Sequence, residues 1–299
     1  MEREKMFWGA GTELTISYQN DGSIDHGAIR HMVDWQIEKG IAYLFAGGIS
    51  SEAHMMTYDE QEALAKTMCS EAGGRIPVMC NVMVPGYRDA VGMIKRYESV
   101  GADAICITPP YLTDFSEKAL EEYLTALIEA SKLPVYIYNA PQTHNMLSPV
   151  LLSKLANTYD HVHGYKDSTQ SITHLETAMG LVQKKFNYIA GSDSTIFTTL
   201  ALGGCGIISF ISIAFPKPII ELCDAFFAGD LNRARERQAF IMKIRDILRK
   251  GGNSAGYKYA SELVGCPIRG TRYPDSLLIL PENLKEEIHD GLRELELVP

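Results

Sequence analysis

The strongest constraint on the fold of this chain is a regular alternation between short apolar segments and amphipathic helical patterns. Eight apolar segments rich in β-branched and aromatic residues recur, at residues 10–17, 41–47, 76–83, 102–108, 133–140, 162–167, 186–191 and 205–211. Most are continuously apolar, which is typical of parallel strands buried on both faces. Eight strand-and-helix units within about 230 residues predict an α/β fold, a (β/α)8 TIM barrel, in preference to an open doubly wound sheet.

The strand pattern stops after Gly229, while helical periodicity continues to the end of the sequence. We therefore predict a barrel that carries the active site over residues 1–229, followed by a C-terminal helical segment over residues 230–299. The stretch 230–250 is rich in arginine and lysine. We interpret it as a solvated helix face or an oligomer contact rather than a phosphate- or RNA-binding patch.

The overall charge of the chain limits its partners. With 37 acidic and 28 basic side chains the formal net charge is -9, which disfavours nucleic acid and anionic membranes and favours a small-molecule partner. No apolar run approaches the length of a membrane span, and the first residues lack the apolar length of a signal peptide. The six cysteines form no C-x-x-C pair, so we expect free thiols and a cytoplasmic location.

A lysine stands where the sixth predicted strand ends, in the sequence HVHGYKDSTQ. Barrel enzymes collect their function at the carboxyl ends of the strands, and Lys166 is the only lysine or arginine among the residues predicted there. Burial is expected to lower the pKa of its ammonium, and a free amine attacks a ketone or aldehyde to form a Schiff base. Tyr138 on the neighbouring strand is a candidate proton carrier. The alternative is a structural ion pair of Lys166 with Asp167 or Asp193.

The second predicted strand ends in the sequence Gly47-Gly48-Ile49-Ser50. Glycine in such a turn lets backbone N–H groups approach an anion closely. A carboxylate is therefore a natural ligand here, and the alternative is a tight turn that binds nothing.

Other motifs that carry chemistry are weak in this sequence. His161 and His163 share a strand face, as metal ligands do, but no third ligand is placed to join them. The sequence has no Walker-type loop and no G-x-S-x-G elbow, and GAGTEL near its start is only half of a dinucleotide fingerprint. We predict neither a metal nor a cofactor.

Several motifs occur together and in order: YNAP at 138–141, GYKDST at 164–169, GSD at 191–193 and LALGGCGIIS at 200–209. With them the chain resembles the dihydrodipicolinate synthase / N-acetylneuraminate lyase family over nearly its whole length. The resemblance implies a (β/α)8 barrel with a C-terminal helical segment, a homo-oligomer (tetramer or dimer), and no metal. It also implies class I aldolase chemistry, in which a Schiff base forms with pyruvate or another 2-oxo acid.

The same resemblance implies roles for particular residues. Lys166 matches the Schiff-base lysine of the family and Tyr138 its catalytic tyrosine. The substrate-binding positions are Gly48, Ile49, Ser50, Tyr111 and Ile208. The first three match the segment that holds the substrate carboxylate, and the last matches the residue whose backbone carbonyl faces the site.

Three departures from the family pattern bear on the reaction. Ile49 replaces a hydroxyl residue of the usual proton relay, and Leu112 replaces the tyrosine that completes the relay across a subunit interface. Thr143 replaces the arginine with which synthases grip the carboxylate of the aldehyde substrate. These changes speak against an authentic dihydrodipicolinate synthase, and they leave room for an apolar second substrate or for a sugar acid. Without those two hydroxyl residues, Tyr138 would relay protons through Ser50 or a water.

The function expected from the sequence is therefore a Schiff-base-forming lyase or aldolase with an undetermined aldehyde or sugar-acid partner. Dihydrodipicolinate synthase proper is one alternative. A non-catalytic binder of 2-oxo acids that kept the barrel and lost the relay is another.

Overall fold

The computed structural model describes residues 6–252, 254–266, 268–272, 274 and 279–299. Its strands are β1 (Gly9–Glu13), β2 (Tyr43–Ala46), β3 (Val78–Val82), β4 (Ala104–Ile107), β5 (Val135–Asn139), β6 (Val162–Asp167), β7 (Asn187–Ala190) and β8 (Gly206–Ser209). Each strand pairs in parallel with the next, and β8 pairs with β1, so the sheet closes into a barrel. The predicted (β/α)8 barrel is confirmed, and every strand overlaps the segment predicted for it.

The first strand is shorter than predicted because the chain after Glu13 makes its hydrogen bonds outside the barrel ladder. Ser51 Oγ donates to the carbonyl of Leu14 at 2.8 Å. The backbone N–H of Arg269 donates to Ser17 Oγ at 3.0 Å. This stretch is therefore tied to the turn after β2 and to the C-terminal part of the chain.

Helices alternate with the strands and cover the outside of the barrel. They are α1 (His26–Glu38), α2 (Tyr58–Ala72), α3 (Tyr87–Ser99), α4 (Glu117–Ala130), α5 (Pro149–Thr158), α6 (Ile172–Leu181), α7 (Ile196–Ala201), α8 (Pro216–Phe227), α9 (Leu231–Arg249), α10 (Ala255–Leu263) and α11 (Glu282–Glu294). Short polar side chains cap several helix starts by accepting a hydrogen bond from a free backbone N–H group. Such caps are Asp25, Thr57, Ser116, Ser148 and Ser171. In the described residues no helix combines the length and apolar character needed to cross a membrane.

The amino-terminal half of the barrel interior is filled by aromatic rings. Phe7 meets the rings of Tyr43 and Tyr136 edge to face, with centroids 5.4 and 5.2 Å apart. Gly11 and Gly164 lie beside those two tyrosines, and a Cβ at either glycine would collide with a ring. The lack of side chains at these glycines therefore makes room for the aromatic layer.

Successive inward positions in a strand are two residues apart. In each strand, the residue two positions after the aromatic layer and its glycines also points inward. Together these residues form a second layer at the carboxyl ends of the strands. This layer includes Glu13, Phe45, Tyr138, Lys166 and Ile208. The period of two thus brings an acid and a lysine to the same level of the barrel.

The helices after the barrel pack against its carboxyl end. Gln238 of α9 donates to the carbonyl of Asp193 at 2.8 Å and accepts from the N–H of Phe197 at 2.9 Å. Tyr257 of α10 stacks on Phe210, with ring centroids 4.1 Å apart. The C-terminal helices therefore form part of the wall above β7 and β8.

Candidate active site

Lys166 is buried at the carboxyl end of β6, where the sequence predicted it. Its side chain is 2% exposed, and Nζ lies 4.1 Å from the ring centroid of Phe45 and 4.0 Å from that of Tyr138. Tyr138 is the register partner of Lys166 in the β5–β6 pair. The two residues assigned to catalysis are therefore in contact, as their neighbouring strands suggested.

The ion-pair partner of Lys166 is Glu13, a residue that the sequence interpretation did not select. Glu13 Oε2 lies 3.4 Å from Nζ of Lys166. Glu13 Oε1 accepts hydrogen bonds from the backbone N–H groups of Ser50 at 2.7 Å and Ser51 at 3.1 Å. A carboxylate in the barrel is thus held by two backbone donors and aimed at the lysine.

The two aspartates considered as partners of Lys166 are bonded elsewhere. Asp193 accepts hydrogen bonds from Ser209 Oγ and from the backbone N–H groups that follow it in the chain, at Phe210 and Ile211. Asp167 accepts from the N–H of Thr169 at 2.8 Å. Both carboxylates organise loops at the barrel mouth.

Glu13 was missed because the first predicted strand ran on to residue 17, which moved its apparent end away from the site. One signal in the sequence did point to it. Glu13 follows Gly11 by two residues in an apolar strand, so it faces the barrel interior, where a buried lysine needs a counter-charge.

The pKa of Lys166 reflects this pairing. Burial acts to lower the pKa of the ammonium, but the electrostatic interactions with Tyr138 and Glu13 outweigh burial, and the pKa is raised. Burial also raises the pKa of the Tyr138 phenol, which is therefore neutral near pH 7. The expectation of a lowered pKa for Lys166 is therefore wrong for the resting site, where the ammonium is stabilised by a carboxylate.

The turn after β2 binds a carboxylate, and that carboxylate is Glu13. Gly47 has a φ of 77°, a conformation that glycine adopts without strain. A Cβ at Gly48 would collide with the carboxylate of Glu13. The turn thus presents the N–H groups of Ser50 and Ser51 to the Glu13 carboxylate, and Gly48 leaves the space that the Glu13 side chain fills.

A cavity of about 1300 Å³ opens above Lys166. Six of the seven residues that the sequence assigned to the site line it together with Glu13, and the seventh, Gly48, lies against the Glu13 carboxylate. The six are Ile49, Ser50, Tyr111, Tyr138, Lys166 and Ile208.

Two of the departures from the family pattern have visible structural consequences. Leu112 is 86% exposed at the cavity mouth, with a φ of 77° that is strained for a branched side chain. Thr143 is buried and its hydroxyl donates to the carbonyl of Ala140 at 2.8 Å. Thr143 therefore lines the cavity without offering it a cation.

Two arginines of the basic stretch also line the cavity. They are Arg245 and Arg249 of α9, which the sequence interpretation placed on a solvated or oligomer-facing surface. The position of α9 above β7 and β8, which a local charge pattern does not reveal, brings them there.

No metal centre is assembled in the described part of the chain, where no group of three or more histidine, cysteine, aspartate or glutamate side chains is placed to hold an ion. Nε2 of His161 instead lies 2.9 Å from the carbonyl oxygen of Ile128.

The chain is similar to known proteins over nearly its whole length. The model of the dihydrodipicolinate synthetase family matches residues 6–294. A 4-hydroxy-tetrahydrodipicolinate synthase of Acidiphilium cryptum (strain JF-5) is 30% identical over 297 residues, which span 98% of this chain and 100% of that protein.

Solved structures agree as well. YagE is a prophage protein of the dihydrodipicolinic acid synthase family from E. coli K12, solved in complex with pyruvate. It is 27% identical to this chain with a TM-score of 0.92, over 98% of this chain and 99% of its own. A dihydrodipicolinate synthase from Aquifex aeolicus, 23% identical, shares the fold with a TM-score of 0.92 over 98% of this chain and 99% of its own.

Proposed function

The chain belongs to the dihydrodipicolinate synthetase family and is a carbon–carbon or carbon–oxygen lyase, and from this premise we propose that it forms a Schiff base between Lys166 and a 2-oxo acid. The observation that carries the proposal is the placement of Lys166. Its amine is buried at the carboxyl end of the barrel, between two aromatic rings, and it faces a cavity large enough for two small substrates. The pyruvate complex of YagE supports pyruvate or a related 2-oxo acid as the first substrate.

The proposed chemistry begins with the neutral amine of Lys166 attacking the carbonyl carbon of the 2-oxo acid. Loss of water gives an iminium, which withdraws electrons and lets the adjacent carbon–carbon or carbon–oxygen bond break or form through an enamine. Tyr138 is next to the amine and is the proposed carrier of protons to and from the substrate.

The remaining substrate contacts follow from the cavity wall. We assign the substrate carboxylate to the turn at Gly48, Ile49 and Ser50, with the Ser50 hydroxyl as its donor, because the backbone N–H of Ser50 already donates to Glu13. Ile208 and Tyr111 line the same cavity, and we propose that the carbonyl of Ile208 and the phenol of Tyr111 complete the first-substrate pocket.

For the second substrate we propose a compound that carries an acid group. Arg245 and Arg249 line the cavity, and an arginine binds a carboxylate through two parallel hydrogen bonds. The helical segment that we assign to residues 230–299 thereby completes the cavity of the barrel at 1–229. Replacing both arginines by methionine is expected to raise KM for an acidic second substrate and to leave adduct formation with pyruvate unchanged.

The relatives named 4-hydroxy-tetrahydrodipicolinate synthase favour a second candidate function, synthesis of that product. Against it stand Ile49, Leu112 and Thr143, which remove two relay hydroxyls and a carboxylate-binding cation. Growth of a strain that lacks this synthase, when it expresses the present chain, would support the candidate. A non-catalytic binder is opposed by the contact between Lys166 and Tyr138, because binding alone needs neither a nucleophile nor a proton carrier.

We also expect a homo-oligomer, a tetramer or a dimer, in the cytoplasm. Leu112 exposes a large apolar side chain at the mouth of the cavity, where contact with a neighbouring subunit would remove it from water. Size-exclusion chromatography with light scattering measures the assembly directly.

The proposed function is tested by reductive trapping. The chain is incubated with pyruvate and sodium borohydride, and its intact mass is compared with that of Lys166→Ala. We expect one pyruvate-sized adduct in the native chain and none in the variant. A native chain that takes up neither pyruvate nor longer 2-oxo acids would make Lys166 a structural residue and favour the binder.

A further inference from the structure

We propose that Glu13 is a further catalytic residue of this chain, which takes a proton from the ammonium of Lys166 and returns it to the hydroxyl that leaves as water. This inference rests on the proposed function, because it concerns how the Schiff base at Lys166 is made. It assigns the proton transfer to a carboxylate at a position that neither the sequence motifs nor the resemblance singled out.

The geometry of Glu13 suits a proton carrier. Oε1 is fixed by the N–H groups of Ser50 and Ser51, at 2.7 and 3.1 Å, which leaves Oε2 facing Nζ of Lys166 at 3.4 Å. The side chain is 6% exposed, so the proton has few competing acceptors in bulk water. Gly48 lies against the carboxylate and leaves the volume that Glu13 needs.

The site needs such a carrier for two reasons. Lys166 rests as an ammonium, since Glu13 stabilises its charge, and an ammonium has no lone pair with which to attack a carbonyl. Ile49 and Leu112, which line the cavity, carry no group that transfers protons. Among the described residues, the other titratable groups that act on Nζ are Tyr138 and Cys106. Neither accepts a proton near neutral pH, because burial raises the pKa of each and keeps it protonated.

The proton balance closes within the pair. The ammonium of Lys166 and the carboxylate of Glu13 become an amine and a carboxylic acid. The amine attacks the carbonyl carbon and loses a proton to the carbonyl oxygen, by way of Tyr138 or water, to give a neutral carbinolamine. Glu13 then protonates the hydroxyl of the carbinolamine, the carbon–oxygen bond breaks, and water leaves. The products are an iminium at Lys166 and a Glu13 carboxylate beside it as its counter-ion.

The substrate itself promotes the first transfer. A 2-oxo acid brings a second carboxylate to the turn at residues 48–50, next to that of Glu13. Two carboxylates held close together resist being ionised at the same time, and the nearest proton is on Lys166. Binding of the acid therefore shifts the proton onto Glu13 and frees the amine where the carbonyl has arrived.

The test is the rate of adduct formation with pyruvate and cyanoborohydride, which reduces the iminium as it forms, in the native chain and in Glu13→Gln. A proton carrier predicts a decrease of about 10²–10³-fold at neutral pH. If Glu13 only stabilises the ammonium, its removal leaves a freer amine. Glu13→Gln would then trap pyruvate as fast as the native chain or faster, and that result would overturn the proposal.

Two further variants separate chemistry from packing. Gly48→Ala keeps the carboxyl group but displaces it, and is expected to show a similar decrease. In Glu13→Ala, added formate can occupy the vacated N–H groups and is expected to restore the rate at least about tenfold, whereas formate leaves Glu13→Gln unchanged. Failure of formate to accelerate a folded Glu13→Ala would contradict a proton-transfer role. Glu236→Gln, the same change at an exposed position of α9, is the matched control and keeps the native rate.

The outcomes also separate this inference from the proposed function. A native chain that forms no adduct with any 2-oxo acid rejects the Schiff-base function itself. A native adduct that forms equally fast in Glu13→Gln rejects only the role of Glu13.

Discussion

Lys166 and Lys258 are both buried lysines paired with a glutamate, and the structure holds the two pairs in different ways. Nζ of Lys258 donates to Glu52 at 2.7 Å and to the carbonyl of Gly270 at 2.9 Å. In the described residues, Nζ of Lys166 has one hydrogen-bond partner, Glu13 at 3.4 Å. Lys258 is bound tightly by oxygen atoms, whereas Lys166 rests against aromatic rings.

The glutamates differ as well. Glu52 accepts additional hydrogen bonds from the backbone N–H of Arg272 at 2.7 Å and from Thr271 Oγ1, so the pair ties the turn after β2 to the C-terminal segment. Glu13 and Lys166 line the cavity, where a substrate can reach them. A buried pair with its hydrogen bonds satisfied on both sides is a structural contact, whereas a sparsely bonded pair at a cavity is available for chemistry.

The largest difference between the pairs is expected in catalysis. Lys166→Met removes the nucleophile, so adduct formation and turnover should fall by at least about 10³-fold. Lys258→Met leaves the nucleophile in place. Its adduct formation and turnover should fall no more than about tenfold, because the turn that holds Glu13 is loosened. Adduct yield by intact mass checks both, at a temperature where circular dichroism shows both variants folded. Equal losses would contradict the comparison.

For stability we expect the larger effect from Lys258→Met and the smaller from Lys166→Met. Removing one partner of a buried ion pair costs about 3–5 kcal/mol of unfolding free energy, because the other charge stays buried, and this is the expected cost of Lys258→Met. Lys166→Met should cost less than about 1 kcal/mol, because Glu13 keeps two N–H donors and water can enter the cavity beside it. Urea unfolding measures both values. A larger cost at Lys166 would show that its pair is structural.

A second substitution sharpens the stability comparison. Adding Glu52→Gln to Lys258→Met removes the orphaned charge and keeps an acceptor for Arg272 and Thr271. The double variant should regain about 1–2 kcal/mol. If the double variant is no more stable than Lys258→Met, the cost comes from packing of the lysine stem rather than from the charge on Glu52.

The smallest expected difference is in alkaline stability, where the two lysines act in opposite directions. For Lys258, burial lowers the pKa below its usual 10.5 despite Glu52. The unfolded chain then binds more protons, and the native advantage over Lys258→Met grows as pH rises toward 10.5. For Lys166 the pKa is raised above 10.5, so the native advantage over Lys166→Met is present below that pH and is lost above it. Unfolding free energies from pH 8 upward, on the order of tenths of a kcal/mol apart, measure the two slopes. Slopes of the same sign would contradict the opposite directions of the two lysine pKa shifts.

Local patterns were enough to predict the barrel and much of the site. Continuous apolar runs mark buried parallel strands wherever they occur, and the ends of those strands meet at one face, so Lys166, Tyr138 and Ser50 were expected to lie together. The end of β1 was not predictable from local pattern, since it depends on bonds between Ser17 and Arg269. Glu13 was missed for a related reason, because it meets Lys166 only after barrel closure joins positions 153 residues apart.

The arginines of α9 show the same limit of prediction from local sequence. Arginines at 245 and 249 look like any solvated helix face in the sequence, and only the packing of α9 over β7 and β8 brings them to the cavity. Charge patterns predict the chemistry that a helix can offer, but its tertiary position decides where that chemistry is used.

The most direct test of the account compares the two buried lysines within one chain. The native protein is trapped with isotopically labelled pyruvate and borohydride, digested, and the label is quantified on the peptides that contain Lys166 and Lys258. The account predicts label on Lys166 alone, approaching one per chain, and none on Lys258. Label on Lys258 or spread over exposed lysines, with Lys166 unmodified, would contradict the claim that the sparsely bonded pair is the reactive one.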